Sequence, residues 1–250
     1  MRELDFICFN FFFMFRSSSL LLNSRSIIIE EMWRERLGKQ LRHPSSSLLG
    51  WLVSKFLIQH NRALEVNTVK ICGIQPGETV LELGHGPGVG LLSAAKLLTK
   101  PTGHLIGVDY SEYMHKMAGE RVKEFVASGK VTLHHCDVAA MPMADSTVDK
   151  VFHCNCYYFW PDLRKAASEV HRVMKPGGLM VTTMLLKRVS HFASLRILQM
   201  YTWRPEVYME ALRDSGFIDV RMEDEQHGNL TFQAIYATAL KQDGKASATV

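Results

Sequence analysis

The run "VLELGHGPGVG", Val80 to Gly90, constrains this chain more than any other. An apolar stretch suited to a buried strand passes directly into glycines at alternate positions, Gly84, Gly86, Gly88 and Gly90. Glycine lets a backbone turn sharply and lets another group approach it closely. The run that follows, "GLLSAAKLL", favours a helix. A helix beginning there offers free N–H groups and the positive end of its dipole. A strand, a glycine loop and a helix in that order form a cradle for a nucleotide.

The rest of the chain repeats the alternation. "TVLELG", "GHLIGVDY", "KVTLHHCDV", "VDKVFHCNCYYF" and "LMVTTML" read as strands, the last entered through a "PGG" turn. Between them, "SEYMHKMAGERVKEFVAS" and "DLRKAASEVHRVMK" read as helices, and "RPEVYMEALRDSG" as one more. "FIDVRMED" and "LTFQAIYATAL" can pair through a polar loop as a late hairpin. Such alternation predicts a mostly parallel sheet with helices on both faces, and a ligand at the carboxyl ends of the strands. Upstream, "EEMWRERLGKQLRHP" predicts a short helix stopped by Pro44. The following "SSSLLGWLVSKFLIQHNRALEVNTVKICGI" carries serine at a cap position. It predicts a lid-like helix and a second helix just before the first strand.

With 250 residues, 47% of them hydrophobic, the chain can bury one substantial core. The predicted domain spans residues 32–240, followed by a polar, flexible tail at 241–250. Residues 1–31 differ from the rest. "FICFNFFFMF" is shorter than the roughly 20 residues that cross a bilayer, so no stable membrane span is expected. Glu3 and Asp5 stand where a signal peptide carries positive charge, and "RSSSLLLNSRS" has the composition of a mitochondrial presequence. The segment is read as a disordered or targeting extension, a membrane-associating segment, or a gene-model artefact with Met32 as the true start. The net charge of +4 is scattered and gives no nucleic-acid footprint. Five cysteines, an odd number without a CxxC pair, argue for a reducing compartment. Cytoplasm is the expected location, or the mitochondrion if residues 1–31 are a presequence.

The glycine spacing decides the kind of nucleotide. Position 89 is Val, so the dinucleotide pattern GxGxxG is broken and GxGxG remains, preceded by Glu82. Asp109 follows in "GVDYS", where a carboxylate can accept both ribose hydroxyls. "CDVAAMP" places Asp137 after the third strand, and the run 148–178 ends in "KPGG" with Glu169 and Arg172 on its helix. Together these motifs resemble the class I S-adenosylmethionine-dependent methyltransferases, and within them the methyltransferase type 11 group. "NCYYFWPD" is similar to a small-molecule subgroup with an Asn-x-x-Tyr-Phe-Trp run. The resemblance covers Gln75 to Thr183 and, weakly, the chain up to Ala239; it leaves out residues 1–31. It implies a three-layer Rossmann-like α/β fold with a seven-stranded sheet whose last strand is antiparallel. The late hairpin agrees with that. It implies S-adenosyl-L-methionine as co-substrate, held by Glu82, Gly84, His85, Gly86, Gly88, Asp109, Tyr110, Asp137, Val138 and Asn155. Asp137 would take the adenine amino group and the Val138 N–H the ring. It also implies a small-molecule methyl acceptor.

Each residue has a plainer reading. Glu82 can be a solvated strand end, Asp109 a helix cap, Asp137 a loop cap and Asn155 a turn former. Asp162, after Pro161, is an N-cap. Tyr157, Tyr158, Phe159 and Trp160 suit packing better than catalysis. "HHC" and "HCNC" match no zinc spacing, so no metal is expected. If the acceptor must lose a proton, His153 and Tyr157 are the base candidates, with His85, Tyr158 and His191 behind them. Strand alternation sets His153 and Asn155 on one face and Cys154 and Cys156 on the other. The acceptor pocket is expected from Trp51–Asn67 and from "KRVSHFASLRILQMYTWRPE", which suit an apolar or flat substrate. Likeness to quinone C-methyltransferases and to arsenite methyltransferases is distant; the latter need a third reactive cysteine. Two alternatives stand beside the enzyme: a non-catalytic S-adenosylmethionine-binding domain working through a partner, and a nicotinamide oxidoreductase.

Overall fold

The structure, a computed structural model, describes residues 24–198 and 201–241, apart from the side chains of 24–30 and 201. The expectations for residues 1–23 and 242–250 lie outside the described residues. Helix α1 spans Ser24–Arg42 and runs without a break across Met32. Helix α2 spans Leu48–Cys72 as a single 25-residue helix, where two had been expected. No Gly or Pro interrupts residues 51–72, so nothing in the chain breaks it. The Ser47 side chain caps it by accepting the Gly50 N–H, and Gly73 ends it in the left-handed conformation, φ 62°.

Strand and helix then alternate: β1 Thr79–Leu83, α3 Val89–Ala95, β2 His104–Asp109, α4 Glu112–Arg121, α5 Lys123–Ala127, β3 Val131–His135 and β4 Val148–Cys154. They are followed by α6 Leu163–Val173, β5 Met174–Met184, α7 Leu186–Ser194, α8 Pro205–Asp214, β6 Phe217–His227 and β7 Leu230–Ala239. The seven strands form one sheet in the order β3-β2-β1-β4-β5-β7-β6. β7 is antiparallel to both β5 and β6, and the other pairs are parallel. The expected seven-stranded sheet with its last strand reversed is therefore present. "KPGG" lies within β5 as a bulge: Val148 pairs with Met174 and Lys150 with Leu179, so extra residues loop out between them. Asp162 caps α6 by accepting the Lys165 N–H at 3.0 Å.

Burial is two-sided, as a sheet between helical layers requires. On one face Leu81, Val108, Val151 and Met180 pack against α6 and α8. On the other Val80, Leu105, Phe152 and Val181 pack against Leu64 and Val69 of α2 and Leu91 of α3. A third, smaller cluster joins Leu41 of α1, Val53 of α2 and Ile197. Among the described residues no helix is long and apolar enough to cross a membrane.

Candidate functional site

A cavity of about 270 Å³ opens at the carboxyl ends of the central strands. Its floor is Gly84, Gly86 and Pro87 after β1, Asp109 and Tyr110 at β2, Cys136, Asp137 and Val138 after β3, and Cys154, Asn155 and Cys156 at β4. Its roof comes from three other segments: Leu41, Arg42 and Pro44 beside α1, Phe56, Asn61 and Glu65 of α2, and Arg188, Val189 and Phe192 of α7. The Ser111 hydroxyl donates to the Pro44 carbonyl at 2.6 Å and ties the roof to the floor.

The glycine loop is shaped by its φ angles: 60° at Gly84, 51° at Gly86 and 80° at Gly88. L-residues reach that region only with strain. Asp109 holds the loop in place. One carboxylate oxygen accepts the Gly86 N–H and the other the Ser111 N–H, both at 2.8 Å. It therefore secures the helix start as well as lining the cavity. Gly90 sits between two glutamates. Its N–H donates to Glu65 at 3.0 Å, and a Cβ there would lie 2.2 Å from an oxygen of Glu82. Glu82 is buried and one of its oxygens has no partner. Burial pushes the Glu65 carboxyl up to about 7, and the Glu82 carboxyl well above the usual range.

Of the residues expected from sequence, Gly84, Gly86, Asp109, Tyr110, Asp137, Val138 and Asn155 meet at this cavity. Glu82, His85 and Gly88 stand behind its wall rather than on it. The His85 ring is buried, one nitrogen bonded to the Gly86 carbonyl at 2.9 Å and the other without a partner; burial lowers its pKa. A Cβ on Gly88 would meet Ala118 of α4 at 3.0 Å, so this glycine serves packing. Asp137 caps its own loop through the Ala139 N–H at 2.9 Å while lining the wall. Asn155 turns the chain in the left-handed region, φ 51°, and its amide donates to Asn61 at 3.3 Å.

The two base candidates do not reach the cavity. His153 is fully buried on the α8 face of the sheet, within 2.9 Å of the Tyr208 hydroxyl and 2.8 Å of the Thr182 hydroxyl. Burial lowers its pKa to about 3, which makes it a poor base. Tyr157 donates to the Trp203 carbonyl at 2.7 Å and stacks on Tyr208. Strand alternation explains the first placement, because it points Cys154 and not His153 toward α2. The strand ends at Cys154, so the alternation expected for Asn155 and Cys156 does not continue, and both line the cavity with Cys154. Tyr157 lies in the 3-10 turn Tyr157–Phe159 beyond it. His191 is exposed on α7; of the remaining candidates only Tyr158 lines the cavity.

Sequence reasoning placed residues 51–67 and 187–206 at the pocket, and both segments line it, but it did not single out Glu65, Asn61, Arg188 or Cys136. The first two stand four residues apart on α2, on one face and both buried. That inward polar pair was the available signal. Cys136 joins Cys154 and Cys156 on the cavity wall. Among the described residues, however, no group of three His, Cys, Asp or Glu stands close enough to hold a metal ion.

Residues 80–178 match the family of methyltransferase domains. A protein of Bacillus subtilis named as the uncharacterized methyltransferase YdaC is 36% identical over 124 residues, half of this chain and 65% of that protein. The chain carries a class I S-adenosylmethionine-dependent methyltransferase domain. Solved structures agree on the fold. An S-adenosylmethionine-dependent methyltransferase from Aquifex aeolicus superposes with a TM-score of 0.59 at 22% identity, covering 75% of this chain and 97% of that one. Phosphoethanolamine N-methyltransferase 2 of Haemonchus contortus, bound to S-adenosyl-L-methionine, gives 0.64 at 20% identity, covering 82% and 60%. Across several curated relatives, YdaC included, the chain spans less than two thirds of the relative's length. The matched region holds the methyltransferase domain's glycine loop, Asp109 and Asp137. The roof segments α1, α2 and α7 fall outside residues 80–178.

Proposed function

We propose that this chain transfers a methyl group from S-adenosylmethionine to a small-molecule acceptor. The observation that carries the reading is one cavity joining the glycine loop, Asp109 and Asp137 to a roof of mixed aromatic, apolar and polar side chains beyond them. The residues present suit the donor. Asp109 has lone pairs left for two ribose hydroxyls after accepting Gly86 and Ser111. Asp137 and Val138 suit the adenine edge, and Gly84, Asn155 and Glu65 the methionine end. Glu65 answers positive charge: a nearby cation favours its ionised form and offsets the burial that keeps it near neutrality.

When bound, S-adenosylmethionine supplies a methyl already activated on a positive sulfonium. The chain's own work is then to orient an acceptor, exclude water and hold the geometry. Phe56, Tyr158, Phe159 and Phe192 form the water-excluding wall. No histidine lines the cavity among the described residues, so the walls suit an acceptor atom that needs no imidazole base. Fold alone would not give this activity; the donor-site residues support it.

Calorimetric titration of the full chain tests the reading, with S-adenosylmethionine and NAD as titrants. Micromolar binding of the former is expected, weakened about 10- to 100-fold in Asp109→Asn, which keeps the side chain's shape. Binding of NAD and not of S-adenosylmethionine would overturn it.

A further inference from the structure

We propose that Arg188 is an anion receptor built into the cavity, taking a carboxylate or phosphate group of the molecule bound there. The inference rests on the methyltransferase reading and deepens it. Arg188 sits in the first turn of α7, half-buried and lining the cavity. Its guanidinium carries five N–H donors and a charge it does not lose. One terminal nitrogen donates to the Asn61 side-chain oxygen at 2.8 Å and the other to the His60 carbonyl at 3.4 Å. Both acceptors are neutral.

Among the described residues, Arg121 and Arg213 donate only to backbone carbonyls, but neither lines the cavity; other arginines have carboxylate partners. Arg172 pairs with Glu169 and Asp145, Arg164 with Asp214 and Arg221 with Glu223. Among the described residues no carboxylate pairs with Arg188. The groups it senses most are Tyr158 and Cys154, and burial keeps both of those in their neutral forms. The cavity wall also carries the aromatic rings of Phe56, Tyr158 and Phe192, and Glu65, the acid on α2 that lines it, bonds Gly90 and not Arg188. A charge withdrawn from water without a counter-charge is costly. A ligand's anionic group would supply that counter-charge, and a guanidinium receives such a group with two parallel bonds.

The receptor is also fixed in place. Asn61 accepts from Asn155 at the end of β4 as well as from Arg188, so one side chain separates the guanidinium from the strand ends. That position can serve an acid group on an apolar acceptor or the carboxylate of the donor's methionine end. The chemistry is the same, and the two arms of the test separate the sources.

Binding is measured by calorimetry on the full chain and on Arg188→Met and Arg188→Lys. The donor arm compares S-adenosylmethionine with its decarboxylated analogue. The acceptor arm, run with S-adenosylhomocysteine present, compares 2-naphthoate and 2-naphthyl phosphate with neutral 2-naphthamide. In one arm the wild type should prefer the anionic ligand by about 10- to 100-fold. Arg188→Met should abolish that preference, and Arg188→Lys, which keeps charge but loses the fork, should retain part of it. Loss confined to the naphthyl acids places the anion on the acceptor. Loss confined to S-adenosylmethionine places it on the donor. Preferences that persist in Arg188→Met overturn the proposal. Should Arg188→Met not fold, the wild type still decides: no preference for the anion in either arm overturns it. If the wild type binds neither donor form, the methyltransferase reading fails, and the naphthyl ligands without S-adenosylhomocysteine decide Arg188 on their own.

Discussion

Gly90 shows how little space the donor loop leaves. Glu65 of α2 accepts its N–H, and Glu82 of β1 occupies the volume its side chain would need. Glu82 is buried, and the added Cβ would meet both its carboxylate oxygens and the carbon between them. Gly90→Ala should therefore destabilise the chain by about 1–3 kcal/mol through overpacking and weaken donor binding. Gly86→Ala meets nothing within 4 Å and is opposed only by its φ of 51°. It should cost about 1 kcal/mol. Urea titrations of both variants decide the matter; Gly86→Ala proving the more damaging would contradict the packing seen here. The glycines were legible because the backbone conformation they permit leaves a mark in the sequence itself. Glu65 was not: Asn61 lies four residues before it on the same face, but α2 carries polar residues on its other faces too, and the sequence does not say which of them turns inward. His153 was misjudged for a related reason: nearness to a strand end says nothing about which face a side chain takes.

The strands and the helices between them announce themselves by period and by their breakers. Helix α2 does not. It was read as two helices, although the absence of Gly and Pro from 51 to 72 already argued for one. Its continuity matters because one rigid rod carries Asn61 and Glu65 to the cavity and Thr68 to Thr183 of β5. The start of that rod is fixed by Ser47, whose hydroxyl accepts the Gly50 N–H at 3.1 Å, within a turn where Ser45 bonds Gln40 of α1. Ser47→Ala should cost about 1 kcal/mol and speed amide hydrogen exchange in the first turn of α2. An unchanged urea midpoint with unchanged exchange would show that packing against α1, not the cap, sets this end. The roof was legible by segment, since residues 51–67 and 187–206 were expected at the pocket and do line it, but not in how its segments meet. Its cluster draws Leu41, Val53 and Ile197 from segments far apart in the chain, and periodicity reports only one segment at a time.

Taken together, the buried groups set opposing responses to pH. Glu65 titrates near 7 in the folded chain against an ordinary 4.5. Its neutral form is the one the fold accepts, so its contribution is fully present below about 4.5 and is lost as pH rises through about 7. Glu82 acts in the same sense. His153 acts in the opposite sense: its pKa falls from 6.5 to about 3, so stability is lost as pH drops below 6.5, where the unfolded chain takes up the proton. His85, lowered by the same burial, adds to that loss. The two tendencies oppose each other between about pH 4.5 and 6.5, and a variant separates them. Glu65→Gln keeps the shape of the neutral acid. It should match the wild type near pH 5 and exceed it by a few kcal/mol at pH 8. That corresponds to roughly 5–10 °C in the thermal midpoint of a chain of this size. Donor binding should invert the order. A cation beside Glu65 favours the carboxylate, so saturating S-adenosylmethionine should raise the midpoint more in the wild type than in Glu65→Gln at pH 8, and the two gains should converge near pH 5. Thermal scans of both proteins at the two pH values, with and without S-adenosylmethionine, read all of this at once. A midpoint difference that ignores pH would mean that Glu65 is an ordinary solvated acid; a pH-dependent difference that the donor leaves unchanged would remove Glu65 from the donor site.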